Sequence, residues 1–210
     1  MSKPMVSSQV IKRLPRYYRF LGELEKQGTI RISSRELSQK MGFTASQIRQ
    51  DLNCFGGFGQ QGYGYNVSEL RNTIGKILGI DAENPTVLIG AGNLGKALTV
   101  HMNFSKRGFK LVGVFDVAPD ICGSVISGLT VTHIDKLEEF CSKNKPVCAI
   151  LCIPKMAAEK IVPKLIKCGV RAFWNFSHYD LTVHENIAVE NVHLSDSLMT
   201  LAYGINNLDE

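Results

Sequence analysis

Long apolar runs are missing from this 210-residue sequence: none reaches the length of a membrane span, and the opening MSKPMVSSQVIKR holds no uninterrupted apolar stretch of signal-peptide type. A membrane-embedded or secreted protein is thus not expected, and the chain is read as cytoplasmic. Cysteines at metal-ligand or redox spacing are also missing. The six present (Cys54, Cys122, Cys141, Cys148, Cys152, Cys168) are scattered without a C-x-x-C motif, mostly in apolar surroundings such as VCAILCI. No clustered Cys/His set accompanies them, so no metal is expected and the thiols read as reduced core residues. Internal repeats and low-complexity tracts are absent too.

What is present is ordinary globular composition, 44% apolar and 20% charged, enough for one large or two small domains. The net charge of +5 is unevenly placed: residues 1 to 80 carry 12 Lys and Arg against 5 Asp and Glu, the remainder 12 against 14. A basic first third attached to a nearly neutral remainder suggests a module that binds a polyanion.

The N-terminal segment RLPRYYRFLGELEKQG places Leu14, Tyr17, Tyr18, Leu21 and Leu24 at helical spacing, with Pro15 near a first turn and Gly28 as a stop. Ser33 with Glu36 and Thr44 with Gln47 form possible capping boxes for two short helices separated by MGFT, a helix-turn-helix pattern. The glycines of FGGFGQQGYGYNV, set between aromatic residues, fit a tight hairpin that would be a wing. Asn66 and Glu69 can cap a further helix ending at Gly79, and the domain boundary falls near residues 80 to 85. On the helix ASQIRQDLNCF, Ile48 and Leu52 would face the core, leaving Ser46, Arg49, Gln50 and Asn53 on the opposite side. Arg49 can pair with guanine, Gln50 or Asn53 with adenine, and Ser46 with a base edge or phosphate. Lys12, Arg13, Arg16 and Arg19 suit phosphate neutralisation, and Tyr63 and Tyr65 flank Gly64 where a hairpin tip can enter a minor groove. The tyrosines suit a small-domain core equally well.

From Thr86 onward apolar runs alternate with helical stretches, the pattern of a parallel α/β sheet. Pro163 should kink a predicted helix or shift its start, and Ser195 should cap a terminal amphipathic helix, SDSLMTLAYGINN. Gly90, Gly92 and Gly95 form G-x-G-x-x-G directly after TVLI and at the opening of a helix, and Asp116 ends the next strand. That is a Rossmann-type dinucleotide fingerprint: a tight turn at Gly90, close backbone approach at Gly92, helix–strand packing at Gly95, and pyrophosphate at a helix N-terminus. Asp116 would accept from the ribose hydroxyls and repel a 2′-phosphate, favouring NAD(H) over NADP(H).

The residues RLPRYYR, ASQIRQDL, FGxFGxxGxGYNV, GAGNLGKAL, VFD and NF, in this order and spacing, resemble the Rex family of redox-sensing repressors over essentially the whole chain. The resemblance implies a winged-helix DNA-binding domain over 1–82, a Rossmann NAD(H)-binding domain over 83–193 and a C-terminal helix over 194–210 exchanged between the subunits of a homodimer. It implies a repressor that binds palindromic operator DNA and is released when NADH binds, sensing the NADH/NAD⁺ ratio. The implied cofactor residues are Gly90, Ala91, Gly92, Asn93, Leu94, Gly95, Asp116 and Val117, with Ile153, Pro154, Asn175 and Phe176 toward the nicotinamide. The implied DNA-binding residues are Arg13, Arg16, Ser46, Gln47, Arg49, Gln50, Asn53, Gln60, Gln61 and Tyr63. Arg19, His101 and His193 occupy positions implicated in coupling the two domains.

The sequence departs from the family pattern at Gln50, Gln60 and Gln61, where basic residues are usual, and at His101 and His193, where Tyr and Asp are usual. A histidine at 193 would make redox discrimination depend on pH, or be an ordinary interface residue. Two other readings stay open. A nicotinamide-dependent oxidoreductase would need a positioned acid or base; no Tyr-x-x-x-Lys or clear His-Asp/Glu pair is evident, although His133, His178 and His184 are available, so no catalytic residue is assigned. A dinucleotide-responsive scaffold without operator recognition is favoured by the three glutamines and disfavoured by Arg49 and the basic first third.

Overall fold

The computed structural model describes residues 6–56, 59–60 and 63–208. The chain divides into two compact units, Met1–Asp81 and Ala82–Glu210.

Among the described residues the first unit contains four helices, α1 (Ser8–Lys26), α2 (Ser34–Met41), α3 (Ala45–Asn53) and α4 (Val67–Leu78). Its small antiparallel sheet has the order β1-β3-β2, from β1 (Arg31–Ile32), β2 (Gly59–Gln60) and β3 (Gly64–Asn66). Ser7 caps α1, accepting from Val10 N, so the helix begins well before Arg13 and Pro15 lies inside it rather than in its first turn. Ser33 and Glu36 form a complete capping box, with Glu36 N donating to Ser33 Oγ (3.1 Å) and Ser33 N to Glu36 Oε2 (2.7 Å). Thr44 and Asn66 cap α3 and α4 through Gln47 N and Glu69 N, each at 3.1 Å. The core gathers Leu14, Tyr17, Leu21 and Leu24 of α1 with Leu37, Met41, Ile48, Leu52, Leu70 and Ile74. On the α1–α4 contact, Arg71 lies 4.7 Å over the Tyr18 ring and pairs with Glu25 at 2.6 Å.

The second unit is a seven-stranded sheet of order β10-β9-β8-β4-β5-β7-β6. Its strands are β4 (Asn84–Ile89), β5 (Phe109–Asp116), β6 (Val125–Ile126), β7 (Leu129–His133), β8 (Cys148–Leu151), β9 (Ala172–Asn175) and β10 (Ala188–Asn191). All pairings are parallel except β6–β7. Helices α5 (Asn93–His101), α6 (Leu137–Asn144), α7 (Lys155–Lys167) and α8 (Leu194–Asn206) complete it. Side chains alternate across β4: Val87 and Ile89 join a core with residues of α6 and α7, while Leu88 joins a second core with Ala91, Phe104 and Val114. Pro163 lies within α7, whose start at Lys155 follows Pro154 as N-cap; the proline leaves the start unshifted. His193, not Ser195, stands at the N-cap of α8; Ser195 is inside the helix, its hydroxyl toward Asp196. No helix among the described residues is long and apolar enough to cross a membrane.

Candidate dinucleotide site and nucleic-acid interface

In the second unit, β4 lies between β5 and β8, so the chain leaves β4 toward one side of the sheet and later returns on the other. The carboxyl ends of β4 and β8 therefore bound a topological switch point, where open α/β sheets leave a crevice. Gly90 turns the chain there at φ +99°, its N–H donating to Phe115 O (2.8 Å); a Cβ on it would lie 2.5 Å from Cys152 O. A Cβ on Gly95 would overlap Gly90 O, so the glycine lets α5 close on β4. Gly92 is the N-cap of α5, without a side-chain cap, and a Cβ there would meet nothing within 4 Å. The first amides of α5 thus face an open approach suited to an anion.

Asp116, at the end of β5, accepts from Ala91 N (2.6 Å), Val117 N (2.7 Å) and Ala118 N (2.9 Å). The carboxylate ties the glycine loop to the neighbouring strand and sits beside the crevice. Ile153 and Pro154 follow β8, with Pro154 capping α7. Asn175 is buried at the end of β9, donating to Tyr179 O and Asn191 Oδ1 and accepting from Ser177 N and Oγ; Phe176 packs edge-on against Trp174. The structure therefore brings all twelve residues of the expected cofactor set to the carboxyl ends of β4, β5, β8 and β9. A dinucleotide fits the arrangement: a glycine turn without Cβ atoms, free helix amides for phosphates, and an acid for ribose hydroxyls.

His101 ends α5, which runs back from the crevice, so it stands toward the opposite end of the sheet from His193, which follows β10. Within one chain these two histidines are not brought together. His193 instead stacks on His178 at 4.7 Å and 16°, with His178 at φ +57°. Tyr179 Oη lies 3.1 Å from His184 Nε2. Burial pushes the thiols of Cys141 and Cys152 up to about 12 and that of Cys148 to about 11, which keeps them protonated in the core. Among the described residues no group of three or more His, Cys, Asp or Glu is placed to hold a metal.

In the first unit, Ser46, Arg49, Gln50 and Asn53 are exposed on α3, while Ile48, Asp51 and Leu52 are buried. Arg49 Nη1 donates to Ser34 Oγ (3.0 Å), which aims the guanidinium along the exposed face. Arg16 donates to Met41 O (2.7 Å) and stacks on Phe43 at 4.7 Å, holding the turn between α2 and α3. Arg13 and Gln47 both reach Asp51. Arg19 is exposed on α1. Tyr63 is exposed beside the wing strands, and Arg31 of β1 donates to its carbonyl (3.4 Å). Gln61 and the side chain of Gln60 lie outside the described residues. Sequence reasoning missed Asp51 and Arg31. The signal for Asp51 was available: an acid between the two core-facing positions, Ile48 and Leu52.

Comparison with known proteins matches residues 5–53 to the family described as "Putative DNA-binding protein N-terminus" and residues 81–179 to "CoA binding domain". A "Redox-sensing transcriptional repressor Rex" of Thermoanaerobacter sp. (strain X514) is 55% identical over 97% of this chain and 91% of that protein. Among solved structures, RSP in complex with β-NAD⁺ and operator DNA superposes with a TM-score of 0.90 at 53% identity, covering 99% of this chain and 95% of the other. RSP in complex with β-NADH gives 0.90 at 50% identity, covering 99% and 97%.

Proposed function

The chain belongs to the Rex family of redox-sensing transcriptional repressors, and from that premise we infer that it binds operator DNA as a homodimer and lets go when NADH occupies its glycine-loop crevice. The observation that carries the reading is the joining, in one chain, of an exposed polar α3 face to a complete dinucleotide turn. That whole arrangement parallels a repressor solved with both operator DNA and NAD⁺, and again with NADH. Bound in the crevice, the nicotinamide supplies only its charge and shape. Residues 90–95 would hold the pyrophosphate on the α5 amides, Asp116 would take the ribose hydroxyls, and Ile153, Pro154, Asn175 and Phe176 would shape the nicotinamide end.

Release requires that NADH prefer the dimer form that does not fit DNA, each tenfold in relative affinity corresponding to about 1.4 kcal/mol. No bond changes, and relatives over the whole chain are named as repressors, not enzymes. A protein acting on bacterial operators works where the DNA is, in the cytoplasm.

Two features support a homodimer. Leu194, Leu198, Met199, Leu201, Tyr203 and Ile205 of α8 are all exposed. In addition, the sheet face over β8, β9 and β10 carries an apolar hollow of about 460 Å³ lined by Phe104, Phe109, Ile150, Trp174 and Val189. Apolar surface on that scale, on helix and sheet alike, is suited to a second copy of the chain. A palindromic duplex titrated by fluorescence anisotropy tests the reading: addition of NADH should release the protein and NAD⁺ should not. Equal retention under both cofactors would overturn it.

A further inference from the structure

The only acid on α3 is fully buried. Asp51 accepts from Arg13 Nε (2.6 Å) and Nη2 (2.7 Å), from Tyr17 Oη (2.9 Å) and from Gln47 Nε2 (2.9 Å). Burial would raise this carboxyl, but the hydrogen bonds from Arg13, Gln47 and Tyr17 outweigh it and hold it below the ordinary carboxylate range, so it is charged. Two of its partners belong to α1, 34 and 38 residues away in sequence.

A buried ion pair is a weak source of stability, since apolar replacements of similar volume often serve as well. Its distinct property is direction: a guanidinium fork on a carboxylate fixes distance and plane together, whereas the apolar contacts of Ile48 and Leu52 are non-directional. A base-reading face needs such a constraint, because supporting residues must hold it to within about 0.5 Å.

We propose that Arg13 and Asp51 are a positioning pair for operator reading. They set the register of Ser46, Arg49, Gln50 and Asn53, and Arg13 acts through Asp51 instead of neutralising a phosphate. The inference rests on the DNA-binding reading above and assigns a role within it. Gln47, on the inner flank of α3, completes the clamp and does not read a base. Asp51 and Arg13 are thus specificity determinants that touch no nucleotide.

The test uses the full-length protein and a duplex that the wild type itself selects from a randomised pool, beside a scrambled duplex of equal composition. Anisotropy is read across a KCl series for wild type, Arg13→Lys, Arg13→Gln and Asp51→Asn. The pair predicts that Arg13→Lys and Arg13→Gln alike lose about tenfold of the preference for the selected duplex, the scale of a mismatched base pair. Affinity for the scrambled duplex and the salt slope should stay at wild-type values. Asp51→Asn should lose the same preference. The contrary result is equally plain: Arg13→Lys matches wild type, while Arg13→Gln weakens both duplexes together and flattens the log–log salt slope by about 0.9, the signature of one lost phosphate contact. That outcome overturns the positioning pair and leaves operator binding intact. If the wild type selects no duplex, the DNA-binding reading fails and the pair falls with it. Arg13→Lys retains stem and charge at a side chain 23% exposed, so with thermal melts run alongside it decides the matter even where Asp51→Asn fails to fold.

Discussion

Replacing Gly92 and Gly95 in turn by alanine separates cofactor approach from folding. At Gly95 the new Cβ would overlap the Gly90 carbonyl oxygen and lie 3.1 Å from Leu88 Cδ2. The overlapped atom is main chain, so α5 must move off β4, and the cost should reach about 3 kcal/mol, the upper part of the overpacking range. At Gly92 the Cβ meets nothing within 4 Å, and φ is −66°, where any residue is comfortable. Stability should therefore change by less than about 0.5 kcal/mol. The same methyl group nevertheless stands at the N-terminus of α5, where a pyrophosphate must come against the main chain. Holding the phosphate off those amides forfeits about 1 to 2 kcal/mol of helix-terminus attraction. NADH affinity should thus fall about tenfold in a protein that melts normally. Titration of NADH fluorescence, with thermal melts in parallel, reads both quantities. Undiminished NADH binding by Gly92→Ala would refute placement of the pyrophosphate on α5, and a normal melt for Gly95→Ala would refute the helix–strand contact.

Asp116→Asn removes the charge and, because both carboxylate oxygens accept main-chain N–H groups, sets an NH2 donor against one of them, so the loop should loosen as well. Preference should shift toward NADPH by about tenfold, measured as the ratio of the two dissociation constants, and an unmoved ratio would show that the acid does not face the ribose. Because the Asp51 carboxyl is depressed in the folded state, its contribution should be complete above about pH 4 and disappear as pH falls through the folded value. The gap in unfolding free energy between wild type and Asp51→Asn should accordingly be flat from pH 5 to 7 and close in stronger acid; a gap that widens on acidification contradicts the assigned sign. A chain ending at His193 lacks α8 and should sediment as a monomer with no operator affinity, whereas a truncated dimer would place the subunit interface elsewhere.

Features dictated by neighbours in sequence were legible from the letters alone. The turn at Gly90 needs a residue that tolerates φ +99° and a close backbone, and the capping box needs Ser33 and Glu36 three residues apart. Leu14, Tyr17, Leu21 and Leu24 are buried as their helical spacing requires. What escaped depends on distant partners. Two-residue β1 exists only because Arg31 and Ile32 find Asn66 and Tyr65, and β10 because Ala188–Asn191 pairs with β9. The β6–β7 hairpin is likewise too short to show a period. For Asp51 the inward position beside Ile48 and Leu52 is legible, but the partner that makes burial of its charge tolerable, Arg13, lies 38 residues away. Pro15 points to a helix start beside it, whereas the quieter cap at Ser7 sets the start of α1 at Ser8.

Against the described residues α8 buries none of its 13 residues, and a free helix of that size is marginal in water. On the homodimer reading proposed above, its order comes from association, which makes completion of the fold a matter of copy number. In the dilute regime the amount of finished repressor grows with the square of the chain concentration. Halving synthesis would then remove more than half of the silencing capacity, so gene dosage would tune the regulator more steeply than it tunes an ordinary self-sufficient protein.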